Sequence, residues 1–165
     1  MNKTASIIYG WWAGVKDDRG VAARLRRAGD LTEVLMEPVT LKLARELGAK
    51  PHELPDIALI AGVLAYVKDH TPERVARALG TPEDRPLCSA LRFRRLLEAS
   101  PGEAQLTAFR RTLALLGGKA NIYDLADSLL DWNTSARRDG RRQRWLYDYY
   151  HTDNPAAGQN EEISA

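Results

Sequence analysis

Two kinds of side chain in this sequence are spaced to do chemistry: a row of aspartates and several groups of arginines. Asp124, Asp127 and Asp131 stand at i, i+3 and i+7, which is one face of a predicted helix. Three aligned carboxylates could hold Mg²⁺ for phosphoryl chemistry, as in a metal-dependent phosphohydrolase. Hard-cation sites draw their ligands from several segments, however, and these three come from one. A solvated face paired with nearby arginines is therefore the preferred reading. His52, His70 and His151 lie at helix edges or in loops, and none has a second histidine at i+3 or i+4 to complete a metal pair. Asp69 and His70, at the end of a predicted helix, read as a dipole contact rather than a ligand pair. Cys88 is the one cysteine, so it cannot form an intramolecular bridge. With no thiolate-activating motif around it, Cys88 is expected to be a buried, inert thiol in a reducing, cytoplasmic setting. No glycine-rich phosphate cradle occurs. These residues predict no catalytic group, no bound metal and no cofactor.

The arginines point elsewhere. Of 24 cations, 18 are arginine, whose planar fork suits phosphate and whose face stacks on bases. Net charge is only +2, so the distribution carries the argument. Residues 137–144 hold five arginines against Asp139 alone. Arg137, Arg141 and Arg144 follow i, i+4, i+7, and Arg138 and Arg142 form a second row. Arg24 and Arg27 lie one turn apart with Arg26 alongside, and Arg110, Arg111 and Lys119 fall in a stretch, 104–123, without an acid. Like charges one turn apart cost helix stability, and a bound polyanion relieves that cost. Trp11-Trp12 could offer a stacking platform. Adjacent helix positions point about 100° apart, so at most one of the pair is expected to face the core squarely. Trp132 and Trp145 sit at apolar helical positions and are expected inside.

The elements that position these residues are read as helices throughout, with no β-strand run. Expected spans are 2–13, 19–28 and a short helix capped by Asp30. After these come 39–47 behind Pro38, the strongly apolar 56–70, and a helix started by the residues 71–74 and ended by Gly80. Residues 89–99 follow, carrying Leu91, Leu96 and Leu97 with Arg92, Arg94 and Arg95 between them. Ser100, Pro101, Gly102 and Glu103 have the form of a capping box ahead of a helix with Leu106, Phe109, Leu113 and Leu116 on one face, stopped by Gly117-Gly118. Asn121 caps the helix that carries the aspartates, and 137–150 forms the last, with Trp145, Leu146 and Tyr149 inward. The chain is expected to be all-α, a compact bundle of about eight or nine short helices, with 1–151 as a single domain and 152–165 as a polar, disordered tail. No signal peptide and no membrane span are expected.

The order of segments resembles a known family. Gly20-Val21-Ala22-Ala23-Arg24-Leu25-Arg26-Arg27-Ala28 follows an aromatic first helix, and the apolar Leu59-Ile60-Ala61-Gly62-Val63-Leu64-Ala65 comes next. Then come Leu91-Arg92-Phe93-Arg94-Arg95-Leu96-Leu97, Phe109-Arg110-Arg111-Thr112-Leu113 leading to Ile122-Tyr123-Asp124-Leu125-Ala126-Asp127, and finally Arg144-Trp145-Leu146-Tyr147-Asp148-Tyr149-Tyr150. Over residues 5 to 151 this is similar to the CasB family, the small subunit of the type I-E CRISPR surveillance complex, Cascade. Position 22 departs from the family pattern, holding alanine in place of an expected arginine, with Arg19 as the nearest substitute. The resemblance implies a non-catalytic helical subunit for RNA-guided antiviral defence, DNA cleavage being left to a separately recruited nuclease-helicase. It also implies partners: the guide-RNA-bearing backbone subunits, the large subunit, CRISPR RNA, target DNA and a second copy of the chain. Its implied task is to hold the target and displaced strands once the R-loop opens, where strand exchange is nearly balanced and backbone contacts tip it.

The residues expected to touch nucleic-acid phosphates are Arg24, Arg27, Arg110, Arg111, Arg137, Arg138, Arg141, Arg142 and Arg144. The alternative is a helical protein–protein scaffold whose arginines meet acidic partners without nucleic-acid contact.

Overall fold

Helix ends leave backbone N–H groups unpaired, and short polar side chains mark where several helices of this chain begin. The structure is a computed structural model and describes residues 3–151. These residues form ten α-helices: α1 (Lys3–Asp17), α2 (Arg19–Arg27), α3 (Leu31–Leu35), α4 (Pro38–Glu46), α5 (Leu54–Leu64), α6 (Val75–Leu79), α7 (Ala90–Glu98), α8 (Glu103–Leu115), α9 (Ile122–Asp131) and α10 (Arg138–Tyr149). Asp18, Asp30, Ser89 and Asn121 accept from backbone N–H groups at the starts of α2, α3, α7 and α9. Gly48, Gly117 and Gly118 follow α4 and α8 with positive φ, a conformation that carries little cost without a Cβ. The fold is all-α as expected. Among the described residues no helix is long and apolar enough to cross a membrane. The expected tail, 152–165, lies outside the described residues.

Every residue of α5 from Ile57 to Leu64 is buried. It is packed on by α3, α9, α4, α8 and α2, while α1 lies against α9 and α10 against α6 and α9. A second apolar centre is aromatic. Phe93 stacks on Tyr149 at 4.1 Å, and Phe109 and Trp145 each meet Trp132 edge-on at 5.0 and 5.1 Å. Trp132 and Trp145 are buried, as their positions predicted. Where α6 runs out beside the end of α10, a Cβ on Gly80 would sit 2.0 Å from the Tyr149 carbonyl oxygen, so that approach requires glycine.

Several local expectations are corrected. The apolar helix expected over 56–70 stops at Leu64. Beyond it the backbone pairs elsewhere: Lys68 N donates to Gly118 O at 2.7 Å, and Asp69–His70 forms a two-residue parallel ladder with Lys119–Ala120. His70 therefore stands in that ladder, beyond the last turn of α5. Its Nδ1 accepts from Ile122 N at the start of α9, at 3.1 Å. No capping box precedes α8, where Gly102 takes the cap position with no side-chain bond. α6 begins at Val75 instead of Pro72, and the carboxylate on its first N–H comes from α9, Asp124 Oδ2 accepting from Val75 N at 2.8 Å. Both Trp11 and Trp12 are buried, because α1 is covered on two sides. Trp11 Nε1 donates to Val39 O and Trp12 Nε1 to Val67 O. Leu146, expected inward, is 39% exposed; on α7 Leu91 is 58% exposed and Phe93 takes the inward place.

Phe109 is buried against Trp132 and Trp145. Phe109→Ala is expected to lower the unfolding free energy by about 3–5 kcal/mol, the usual cost of deleting a core phenyl ring. Urea denaturation measures it, and a loss below about 1 kcal/mol would contradict this packing.

Candidate nucleic-acid interface

The start of α10 carries its arginines where the chain turns back from α9. Arg137 is the residue ahead of the helix, and Arg138 opens it; their side chains are 72% and 58% exposed. Their acids are more numerous than the local sequence promised. Asp131, at the end of α9, pairs with Arg137 at 3.4 Å and with Arg141 at 2.9 Å. Asp148, one turn beyond Arg144 on α10, is buried and pairs with it at 3.4 Å and with Arg74 at 2.9 Å. The expectation that only Asp139 serves this cluster is thus corrected: one partner arrives by tertiary packing and the other sits just past the stretch counted. Even so, each of these aspartates is shared by two arginines, so positive charge remains in surplus at the surface.

Arg110 and Arg142 are placed differently. The Arg110 guanidinium, half-buried, donates to the carbonyls of Gly62 at 3.1 Å, Leu25 at 2.9 Å and Ala28, with its plane over Tyr66 at 4.6 Å. Arg142 donates to Leu97 O at 2.9 Å and Trp132 O at 2.7 Å and lies 4.5 Å over the Trp132 ring. Burial lowers the pKa of both from the ordinary arginine value. These two fasten helices together, and their forks are turned inward. On α2, Arg24 pairs with Glu37 at 3.1 Å, whereas Arg27 is exposed and has no side-chain partner among the described residues.

Arg111, next to Arg110 on α8, points to the opposite fate. It lines a groove of about 450 Å³ between α7 and α8 together with Arg92 and Arg95. Arg92 and Arg95 are not among the arginines expected from the sequence to touch phosphate. Their i, i+3 spacing, with no acid inside that turn, was the signal that could have found them.

The aspartate row disperses into structural duties: Asp124 to Val75 N and Arg74, Asp131 to Arg137 and Arg141. Among the described residues no group of three His, Cys, Asp or Glu side chains is placed to hold a metal ion. Cys88 is buried, as expected, and burial raises its thiol pKa.

Comparison with known proteins agrees with this architecture. The sequence model for the CRISPR-associated protein Cse2 matches residues 21–150. No curated protein matches the sequence. Among solved structures, a CRISPR-associated protein of the Cse2 family from Thermus thermophilus superposes with a TM-score of 0.72 at 23% identity, over 92% of this chain and 99% of that one. A structure of CasB, also from Thermus thermophilus, gives 0.72 at 24% identity, over 92% and 99%. A chain of E. coli Cascade bound to a PAM-containing dsDNA target gives 0.68 at 22% identity, over 90% and 97%. A helical protein that matches that model across most of its length is a Cascade-type small subunit in class. The chain belongs to the Cse2 (CasB) family, the non-catalytic small subunit of the type I-E CRISPR Cascade complex.

Neighbouring arginines should separate by role. Arg110→Ala is expected to destabilise the fold by about 2–4 kcal/mol, since hydrogen bonds from a charged donor are worth roughly 1.5–3 kcal/mol and three carbonyls lose theirs. Arg111→Ala, on the surface, should stay within about 0.5 kcal/mol of the parent. Paired denaturation curves test this, and equal midpoints for the two variants would refute the inward role of Arg110.

Proposed function

We propose that the chain acts inside a type I-E Cascade as a subunit that grips nucleic-acid backbone without reading sequence, and so stabilises the target and displaced strands of the R-loop. The observation that carries this is the surplus of arginine over carboxylate on the outer faces. Arg27 and Arg111 have no side-chain partner among the described residues, while Arg137, Arg141 and Arg144 share their aspartates. Phosphate is the ligand that guanidinium forks accept in place of a shared carboxylate. The exposed members, Arg24, Arg27, Arg111, Arg137, Arg138 and Arg144, are the phosphate contacts. Arg141, held by Asp131, stands behind them, and Arg110 and Arg142 hold the helices in place. Backbone subunits, the large subunit, guide RNA and a second copy of the chain are the partners in this reading, and the cytoplasm is where it works.

A scaffold reading has one observation of its own. Leu91, Leu146 and Tyr150, all exposed, line an apolar groove between α7 and α10, a surface suited to protein contact.

Salt dependence separates the two. Arg137→Ala combined with Arg138→Ala is expected to weaken DNA binding equally for unrelated sequences and to flatten the log–log salt slope by roughly one to two units, about one per lost phosphate contact. In the reconstituted complex the R-loop should dissociate faster while guide-RNA loading is unchanged. A folded variant with unchanged slope and affinity would remove this end of α10 from the interface and favour the scaffold.

A further inference from the structure

One carboxylate is set between two arginines at the turn from α9 into α10. Asp131 closes α9, and each of its oxygens serves one guanidinium: Arg137 Nη1 donates to Oδ1 at 3.4 Å and Arg141 Nη2 to Oδ2 at 2.9 Å. Among the described residues these are the only side-chain bonds that either arginine makes. The two arginines stand one helical turn apart, where like charges repel, and the anion between them removes that repulsion. The two bonds are unequal. Arg141 and Asp131 are both largely enclosed, at 21% and 20% exposed, whereas Arg137 is 72% exposed and more distant. Arg141 Nε is buried without a partner, so a fork with five donors is held by a single acceptor oxygen. Asp139, on the first turn of α10, is of another kind. It is 84% exposed, stands 4.0 Å from Arg138 and holds no fork.

We propose that Asp131 is a resident anion that limits the nucleic-acid affinity of this end of α10. Its carboxylate fills the seat between Arg137 and Arg141 that a phosphate would otherwise take. Arg141 is thereby kept out of contact, and Arg137 is left loosely held at the surface. The proposal rests on the nucleic-acid reading above and adds a specificity-determining residue to it. A surface that grips phosphates without reading bases gains the same from any nucleic acid. Each further arginine on it strengthens every wrong complex along with the right one. A carboxylate seated in one fork weakens them all by a similar factor. Inside an assembly that loss is offset, because a strand held by other subunits is presented at high effective concentration. Firm binding is then confined to the assembled state, and the free subunit leaves unrelated nucleic acid alone.

The test titrates the full chain with a duplex of arbitrary sequence over a range of salt. Asp131→Asn keeps the side-chain shape and removes the anion. It should raise affinity by about tenfold, the scale of one added charge-assisted hydrogen bond, and steepen the log–log salt slope by about one unit. Asp139→Asn removes the same charge without freeing a fork, so it should raise affinity by less than about threefold and leave the slope unchanged. Adding Arg141→Ala to Asp131→Asn should return both quantities toward the parent values, because the gain belongs to that fork. In the reconstituted complex Asp131→Asn should narrow the preference for target over unrelated DNA, and a preference as wide as the parent's would overturn the specificity role. If circular dichroism shows Asp131→Asn misfolded, nitrogen NMR of the guanidinium groups in the parent chain takes its place. Added duplex should shift the Arg138 signals and leave those of Arg141 where they are; equal shifts would overturn the proposal. A folded Asp131→Asn with unchanged or lower affinity would make Asp131 a structural contact only. Equal gains from Asp131→Asn and Asp139→Asn would reduce the effect to net charge and overturn the proposal as well. Absence of salt-dependent binding by both the parent chain and Asp131→Asn would overturn it together with the reading it rests on.

Discussion

A helix with no polar face cannot lie at a surface, and the enclosure of α5 is the constraint from which the rest of this structure follows. Its residues from Ile57 to Leu64 are all buried, and each large aliphatic side chain among them stabilises the fold by roughly 1.5–3 kcal/mol when taken out of water. Surrounding it requires α2, α3, α4, α8 and α9 to commit one face each to the interior. What remains for contact with other molecules is the outer face of that shell and of α7 and α10, which is where the exposed arginines are found. Function in this protein is therefore a property of surfaces.

Arginine serves two physical ends here, and adjacent residues show both. Arg110 and Arg111 differ by one position, about 100° around α8. The first is drawn under neighbouring helices, where a desolvated guanidinium persists only because backbone carbonyls of α5 and the α2 end accept its protons. The second meets solvent with nothing to balance it. Arg142 repeats the first role at the start of α10, clamped between Leu97 O, Trp132 O and the Trp132 ring, beside the exposed Arg138. A basic cluster in such a sequence is thus a mixture of fasteners and contact points.

Local patterns were legible wherever the physics is local. Asp30 and Asn121 cap the helices they precede, Gly117-Gly118 stops α8, and Trp132, Trp145 and Phe109 fill the core their spacing implied. The family order was also readable, because it is a property of the chain as a string. On α7, Phe93, Leu96 and Leu97 are the i, i+3, i+4 set, so the inward place of Phe93 over Leu91 was available in the spacing and was missed. Other features depend on who packs where. The Asp124 carboxylate caps α6 from 49 positions away, Asp131 reaches back to Arg137 and Arg141, and α1 is covered on two sides so that both tryptophans are buried. For the α6 cap and the two tryptophans no short window of sequence contains both partners, and for Asp131 the turn between α9 and α10 decides which arginines it meets. The same limit explains the candidate interface: the charge stripe was visible, but which forks are turned inward is decided by tertiary neighbours.

Gly62 shows how closely one of those fasteners is fitted. Arg110 Nε donates to its carbonyl, and a Cβ built there would stand 2.8 Å from Leu106 Cδ1 and 3.4 Å from Arg110 Nη2. The bare backbone of α5 at this point is the channel through which the guanidinium reaches Leu25 and Ala28. A methyl group at 62 would also stand 3.2 Å from Val34 Cγ2, so Leu106 and Val34 crowd it more than the arginine does. A shorter side chain at 110 loses bonds but collides with nothing, and it leaves those two aliphatic contacts with position 62 in place. The glycine is thus demanded by the packing of α3 and α8 on α5, and the arginine takes the route that this packing leaves open.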